Sequence, residues 1–285
     1  MPEISLQRLK DYQSETFRFE PARRLHSADE AVAFVNERGF TFFWPITGIR
    51  LPSLWGAVAG DRPVPNEHDD PGHVTWGWKD ELLGQRRWYY AKVLRKRGTM
   101  ISLEYAPHFY ALSENYGSPE EDYLTLYEQG RLTQEARQVY EVLLQEGPMH
   151  TVALRKAARM SSRESDGRFT KAMTDLQADF KIMPVGVARA GAWNYAFIYE
   201  ITARHHPELI ELAQQIGENQ ARQQLSGLYF RSVGAATRND LQRLFGWRPA
   251  QTERSLAALV KEGFLLNDIE LENQRGEHYA LPELV

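Results

Sequence analysis

Two stretches of the C-terminal half, KAMTDLQADFKI (171 to 182) and RSLAALVKEGFL (254 to 265), superimpose without a gap, and this repeat limits the possible folds more than any other feature of the chain. It pairs Met173 with Leu256, Leu176 with Leu259, Asp179 with Glu262 and Ile182 with Leu265. In each copy the apolar residues recur at i and i+3, the spacing that gathers them on one helix face.

The surrounding sequence repeats in the same order. The first copy opens with TQEARQVYEVLLQEG (133 to 147), in which Ala136, Val139, Tyr140, Leu143 and Leu144 fall at helical spacing until Gly147-Pro148 stops the pattern. Thr151 is expected to cap a short helix VALRKAARM, and the polar loop SSRESDG leads to a third helix over 168 to 180. Two β-like runs follow, IMPVGV and WNYAFIYEI, joined by the turn-like ARAGA. The second copy runs ARQQLSGLYFRSVG (221 to 234), a helix within ATRNDLQRLFGW, the helix QTERSLAALVKEG, then FLLNDIELE and EHYALPEL about the turn signal NQRG. From Gly147 to Lys171 is 24 positions and from Gly234 to Arg254 is 20, a length difference that belongs in an exposed loop between the second and third helices. Three helices and a hairpin are the parts of a winged helix.

The fold expected is therefore mainly α with small β wings, an α+β chain carrying tandem winged-helix domains over 127–207 and 208–285. Residues 1–126 differ in texture, being rich in Trp, Tyr, Phe, Gly and Pro, and read as a small α+β domain. Within them SADEAVAFVNERG (27 to 39) predicts a helix, with Ser27 and Glu30 as a capping box and Gly39 as the stop.

Composition narrows the function classes. Cysteine is absent, which removes disulfides, thiolate zinc sites and Cys nucleophiles together and fits a reducing compartment. No apolar run approaches the roughly 18 residues of a membrane span, and MPEISLQRLKDYQ lacks the basic-then-apolar order of a signal peptide. A cytoplasmic, soluble protein without a membrane partner is expected. The net charge of -4 excludes a uniformly basic nucleic-acid coat but leaves room for a local patch.

Such a patch stands at GQRRWYYAKVLRKRGT (84 to 99), where Arg86, Arg87, Lys92, Arg95, Lys96 and Arg97 alternate with Trp88, Tyr89 and Tyr90. Cations neutralise phosphates and aromatic faces stack bases, so the mixture suits a nucleic-acid surface; a solvated face with its rings in the core fits the same residues. The third helix of a winged helix is the expected reader of the major groove. Arg163, Arg168 and Lys171 stand near its start in the first copy, and Arg248, Gln251 and Arg254 in the second. Acids on the same helices, Asp175, Asp179, Glu253 and Glu262, keep a protein-interaction role open.

The segment NEHDDPGHVTWGWKD (66 to 80) sets His68, Asp69, Asp70 and His73 close together, ligand types for a metal, although Asp-Asp-Pro-Gly is equally a turn composition. No metal or other cofactor is expected. The chain has no Gly-rich phosphate loop, Gly-x-Ser-x-Gly elbow or His-Glu-x-x-His helix. Residues 40 to 46, FTFFWPI, hold four aromatics in five positions and fit either a buried strand or the wall of a pocket for a flat ligand.

LYFRSVGAATRNDLQRLFGWRPAQTERSLAALVKEGFL (228 to 265) resembles the winged helix of the AlkZ-like (YcaQ-type) DNA glycosylases, and RKRGTMIS (95 to 102) resembles that family's Arg-Gly-Thr-Leu-His segment. The resemblance spans residues 27 to 265 and implies a short AlkZ-related member without the family's C-terminal β domain. It also implies that FTFFWPI lies at the cleft, with the two places of the family's Gln-x-Gln or Gln-x-Asp motif on Phe42 and Trp44 and the His of the second motif on Ile101. In the family the polar pair positions a water and stabilises the developing sugar cation, whereas an indole or phenyl ring cannot accept the proton of that water. On a strand Phe42 and Trp44 would share one face.

The reading that follows is a protein of double-stranded DNA, damaged duplex included, acting in repair or in the response to alkylation and crosslinks. If it is an enzyme, its reaction is N-glycosidic hydrolysis, and no catalytic residue is assigned. The alternatives are a winged-helix transcriptional regulator whose aromatic cleft takes a small flat ligand, and a protein-interaction scaffold. Oligomeric state is not legible.

Overall fold

A computed structural model describes residues 2–67, 69–274 and 276–285. Helices and several small sheets make up the fold. The chain begins with β1 (Glu3–Ile4) and α1 (Leu6–Thr16), followed by α2 (Ala28–Arg38) and β2 (Phe40–Phe42). Ser27 accepts from the amide of Glu30 as expected, while the Glu30 carboxylate reaches the amide of His26 rather than that of Ser27. Gly39 ends α2 at φ 80°, where a Cβ would also strike Leu228, so both backbone and space demand glycine. Then come α3 (Leu54–Ala59), α4 (Val74–Leu82), β3 (Tyr89–Ala91), β4 (Thr99–Ile101) and α5 (Ala106–Tyr110).

Strands β2, β4 and β3 form one antiparallel sheet, with Phe40 opposite Ile101 and Tyr89 opposite the same residue from the other side. Both faces of this sheet are covered. Phe40, Phe42, Tyr89 and Ile101 join one core, and Met100, with Tyr90 packed at its edge, joins another built on α2, α3 and α4. A sheet buried on both sides needs a nearly continuous apolar run, which is why FTFF shows no polar alternation beyond the buried Thr41.

Helix α6 (Asp122–Glu128), which straddles the expected boundary at 127, packs on the first copy, whose repeated elements are α7 (Gln134–Glu146), β5 (Met149–His150), α8 (Thr151–Ala157), α9 (Asp166–Ala178), β6 (Ile182–Ala188) and β7 (Ala196–Ile201). Its N-cap on α8 is the His150 ring, which accepts from the amide of Ala153; Thr151 instead donates to the Phe197 carbonyl, so the expected cap is displaced by one residue. After α10 (Thr202–His205) and α11 (Glu208–Gln214), the second copy has α12 (Glu218–Val233), β8 (Ala235–Ala236), α13 (Arg238–Phe245), α14 (Pro249–Lys261), β9 (Leu266–Leu271) and β10 (His278–Ala280). Thr237 and Asp240 close a full capping box on α13. Helix α14 starts at Pro249 behind Arg248, and Thr252 lies inside it, buried.

The two copies have the same strand order, β5-β7-β6 and β8-β10-β9, and β1 extends the second sheet by pairing parallel to β9. The loop difference falls between the second and third helices, at 158–165 against 246–248. Helix α1 then docks on the end of α12, where Tyr12, Gln13 and Thr16 donate to the carbonyls of Arg231, Val233 and Ser232. These are helix-terminal carbonyls with no partner inside α12. Residues 3–16 thus share their sheet and helix contacts with the second copy, although the sequence reading grouped them with 1–126. Among the described residues no helix is long and apolar enough to cross a membrane.

Candidate nucleic-acid interface and aromatic cleft

Strand β2 ends at Phe42, and the alternation expected through FTFFWPI ends with it. Phe42 and Ile101 are 0% exposed and sit in the core, so neither reaches a cleft. Trp44 is 37% exposed and turns outward; Phe43, between them, packs on the core of α2 to α4. Of the three positions expected at the cleft, Trp44 alone lines one, because the chain leaves the sheet before the strand period can carry Phe42 and Trp44 to one side.

That cleft has a volume of about 560 Å³. Its walls are Phe43, Trp44, Trp76, Tyr90 and Phe197, and its rim carries Lys92, Lys96 and Arg97. Trp44 stacks on Phe43 with ring centroids 5.5 Å apart and meets Trp76 edge-on at 5.3 Å. A larger opening of about 840 Å³ lies on the other side of Pro45 to Thr47, lined by Trp55, Arg50, Asp61 and Arg62 among others.

At the base of the smaller cleft is Lys79, which is 1% exposed. Its ammonium lies 4.3 Å from the centroid of Phe197 and between 5.6 and 5.8 Å from those of Tyr90, Phe43, Trp76 and Tyr195, a five-ring cage. It donates to the Asp80 carboxylate and to Tyr195 Oη at 3.1 Å, and Tyr195 donates to the same carboxylate at 2.8 Å. Burial holds the Lys79 amine below the usual lysine range, against the opposing pull of Asp80. Phe197 and Tyr195 come from the hairpin of the first copy, whose approach is permitted at Gly84, where a Cβ would meet the Val185 carbonyl. The cleft is therefore a joint between α4, β3 and that hairpin.

Sequence reasoning passed over Lys79 and Trp76. Both lie in the segment read for metal ligands, and the available signal was WGWKD itself, a lysine among aromatics at i and i+3 on a helix. Asp70 of that segment has ordinary structural work: it accepts from the amide of Gly72 and from Arg62, which holds its carboxyl below the usual range. His73 is near Trp44 and Trp76, and His68 lies outside the described residues. No group of three or more ligand side chains is found among the described residues.

The basic stretch is divided by the fold. Arg86 pairs with Glu208 and Arg87 with Asp29, while Lys92, Lys96 and Arg97 turn to the cleft and Arg95 to a separate opening beside Glu114 and Arg131. Arg95 and Lys96 hold left-handed backbone, at φ 53° and 56°, which makes the sharp turn that presents the cluster. Asp175 of α9 draws Lys96 and Lys171 together; burial works to raise its carboxyl, and the hydrogen bonds from the two lysines outweigh it, so it is held below the usual range. Arg168 pairs with Glu135, and Arg163 is exposed at the turn before α9. In the second copy Arg248 is exposed, its amide donating to Gln251 Oε1, and Arg254 is exposed with Asn219 Oδ1 at 3.4 Å.

The architecture is of the kind seen in a DNA glycosylase: the DNA glycosylase AlkZ of Streptomyces sahachiroi superimposes with a TM-score of 0.59, covering 99% of this chain and 71% of that one at 11% identity. Among curated protein sequences none matches. The model of the AlkZ-related family matches residues 25–246, and the chain belongs to that family.

Proposed function

We propose that this protein binds duplex DNA through two winged helices, 127–207 and 208–285, and admits an unstacked base to the aromatic cleft in the service of DNA repair. The observation that carries the reading is the cleft, where Trp44, Trp76 and Tyr90 face a rim of Lys92, Lys96 and Arg97. Aromatic walls offer stacking to a base taken out of the helix, and the cations offer contacts to its flanking phosphates. The two hairpins with the helices α7 to α9 and α12 to α14 supply the parts of winged helices, and the exposed Arg163, Arg168, Arg248 and Arg254 suit a DNA backbone.

The reaction class to which the scaffold points is hydrolysis of an N-glycosidic bond. Phe42 and Ile101 are in the core and Trp44 has no proton acceptor, so the chain offers no water-positioning group where the resemblance implies one. Among the described residues no carboxylate is part of the cleft lining, and Asp80 stands one contact behind it, held by Lys79 and Tyr195. Recognition without water-mediated excision is the function this geometry supports best.

A second reading, a regulator responsive to a small flat ligand, draws on the same cleft, whose volume is ordinary for a small-molecule site. One variant tests both. Trp44→Ala should weaken binding of a duplex with an unpaired base by about 1–3 kcal/mol, the range for base stacking, with unfolding little changed because Trp44 is partly exposed. Equal binding by variant and parent removes the base pocket. Duplex affinity that is specific for one sequence and altered by a free aromatic ligand favours the regulator.

A further inference from the structure

We infer that Lys79 is a nucleophilic amine which forms an imine with a sugar aldehyde carrying phosphate, of the kind an abasic deoxyribose presents in its open form. The inference rests on the reading of the cleft as a site for DNA and deepens it by naming the substrate class. A lysine placed only to hold the fold together is more economically kept at the surface, since a buried ammonium must give up its hydration. Here the amine lines an open cleft yet is 1% exposed, and its burial, which favours the neutral, nucleophilic form, outweighs the hold of Asp80 on the ammonium. Its two hydrogen-bond partners, Asp80 and Tyr195 Oη, are a proton acceptor and a proton carrier already in contact with one another. The rim cations Lys92, Lys96 and Arg97 fit the phosphates on either side of such a sugar. The substrate class follows from these three features together: an aldehyde for the amine, a compact sugar for the space, phosphate for the rim.

The step balances without an added reagent. The Lys79 ammonium passes one proton to the Asp80 carboxylate, and the free amine adds to the aldehyde carbon, forming the C–N bond while a second proton moves from the nitrogen to the carbonyl oxygen, which becomes a hydroxyl. That hydroxyl takes the proton back from Asp80 and leaves as water, breaking the C–O bond, and the nitrogen retains one proton in the iminium. No water has to be activated as a nucleophile, and Asp80 serves only to hold and return a proton.

The test is reductive trapping of the full chain with cyanoborohydride, once with a duplex holding a single abasic site and once with 2-deoxyribose 5-phosphate, followed by mass mapping of the modified peptide. The expected result is an adduct on Lys79 from both probes, lost in Lys79→Arg, which retains the caged cation, and in Lys79→Met, which retains the packing. An adduct on Lys79 from the sugar phosphate together with no retention of any duplex would uphold the imine site and defeat the DNA reading. Duplex binding with no adduct on Lys79 from either probe, or adducts confined to the rim residues Lys92 and Lys96, would overturn the inference. Mapping on the unaltered protein decides the matter even where a Lys79 variant does not fold.

Discussion

The two copies of the repeat have one strand order and two modes of attachment. The first, α7 to β7 with α6 packed on it, has a core of its own around Val139, Leu143, Leu154 and Leu176. The second shares a single core with the N-terminal sheet, so that Leu225, Leu241 and Leu256 belong to the same cluster as Phe40, Phe42 and Ile101. Its sheet is also completed by β1 and its long helix is capped by α1. The same local pattern thus yields a satellite in one place and a structural centre in the other.

The first copy reaches the central core through Phe180 and Met183. Phe180, just past α9, takes left-handed backbone at φ 56° and leaves the first copy's core to stack on Tyr89 at 4.4 Å and lie near Phe109. It joins the satellite to the centre as an apolar plug. The next residue, Lys181, is buried at the same joint and donates to Asn115 Oδ1 and the Glu114 carbonyl, whereas the matching position in the second copy is Phe264. A repeat that is symmetric in its helices becomes asymmetric where it must meet a neighbour.

The comparison breaks if Phe180 is not the joint. Phe180→Ala should cost about 3–5 kcal/mol, as truncation of a buried aromatic does, and denaturant unfolding should separate into two transitions where the parent shows more overlap. A single undisturbed transition would mean the copies are coupled elsewhere. Next in size are the matched core leucines. Leu176→Ala and Leu259→Ala should each cost about 2–5 kcal/mol. Hydrogen exchange should then report opening confined to about residues 122–201 for Leu176→Ala, and opening that extends into β2 to β4 for Leu259→Ala.

If the proposed DNA binding holds, the third helices of the two copies should differ as well. Arg254→Ala is expected to lower duplex affinity by about 1–3 kcal/mol, and Lys171→Ala by less, because Lys171 is already engaged by Asp175. Salt-dependent binding titrations of the two variants check the order. The mildest test is a pH titration. Burial holds the Lys181 amine down at about 8, while the unfolded chain keeps its proton to the ordinary lysine value of 10.5. Between those values the unfolded state binds more protons at this residue, so the contribution of Lys181 to stability should rise with pH from about 8 towards 10.5, against the opposite trend of buried tyrosines such as Tyr89 and Tyr199. The difference in stability between parent and Lys181→Met should therefore change in the parent's favour over that range, and a difference independent of pH would place the joint in water.

Much of the fold could be read from the chain because it is written in local physics. Helical spacing in 134–146, the glycine stops at Gly39, Gly147 and Gly234, and the gapless match of 171–182 with 254–265 all act within a few residues, and the helices and hairpins of both copies stand where these signals put them. The cleft was not legible in the same way. FTFFWPI has the composition of a strand and of a pocket, and one covered face more or less decides between them: the sheet β2-β4-β3 is covered on both, which takes Phe42 and Ile101 into the core and leaves Trp44 outside. The environment of Lys79 is local only in Trp76 and Asp80; the hairpin bearing Tyr195 and Phe197, more than a hundred positions further along, closes over it. Side-chain period and capping are short-range and survive in a sequence read one window at a time. Burial and charge environment are set by what packs on a residue from elsewhere, and only the tertiary structure supplies that.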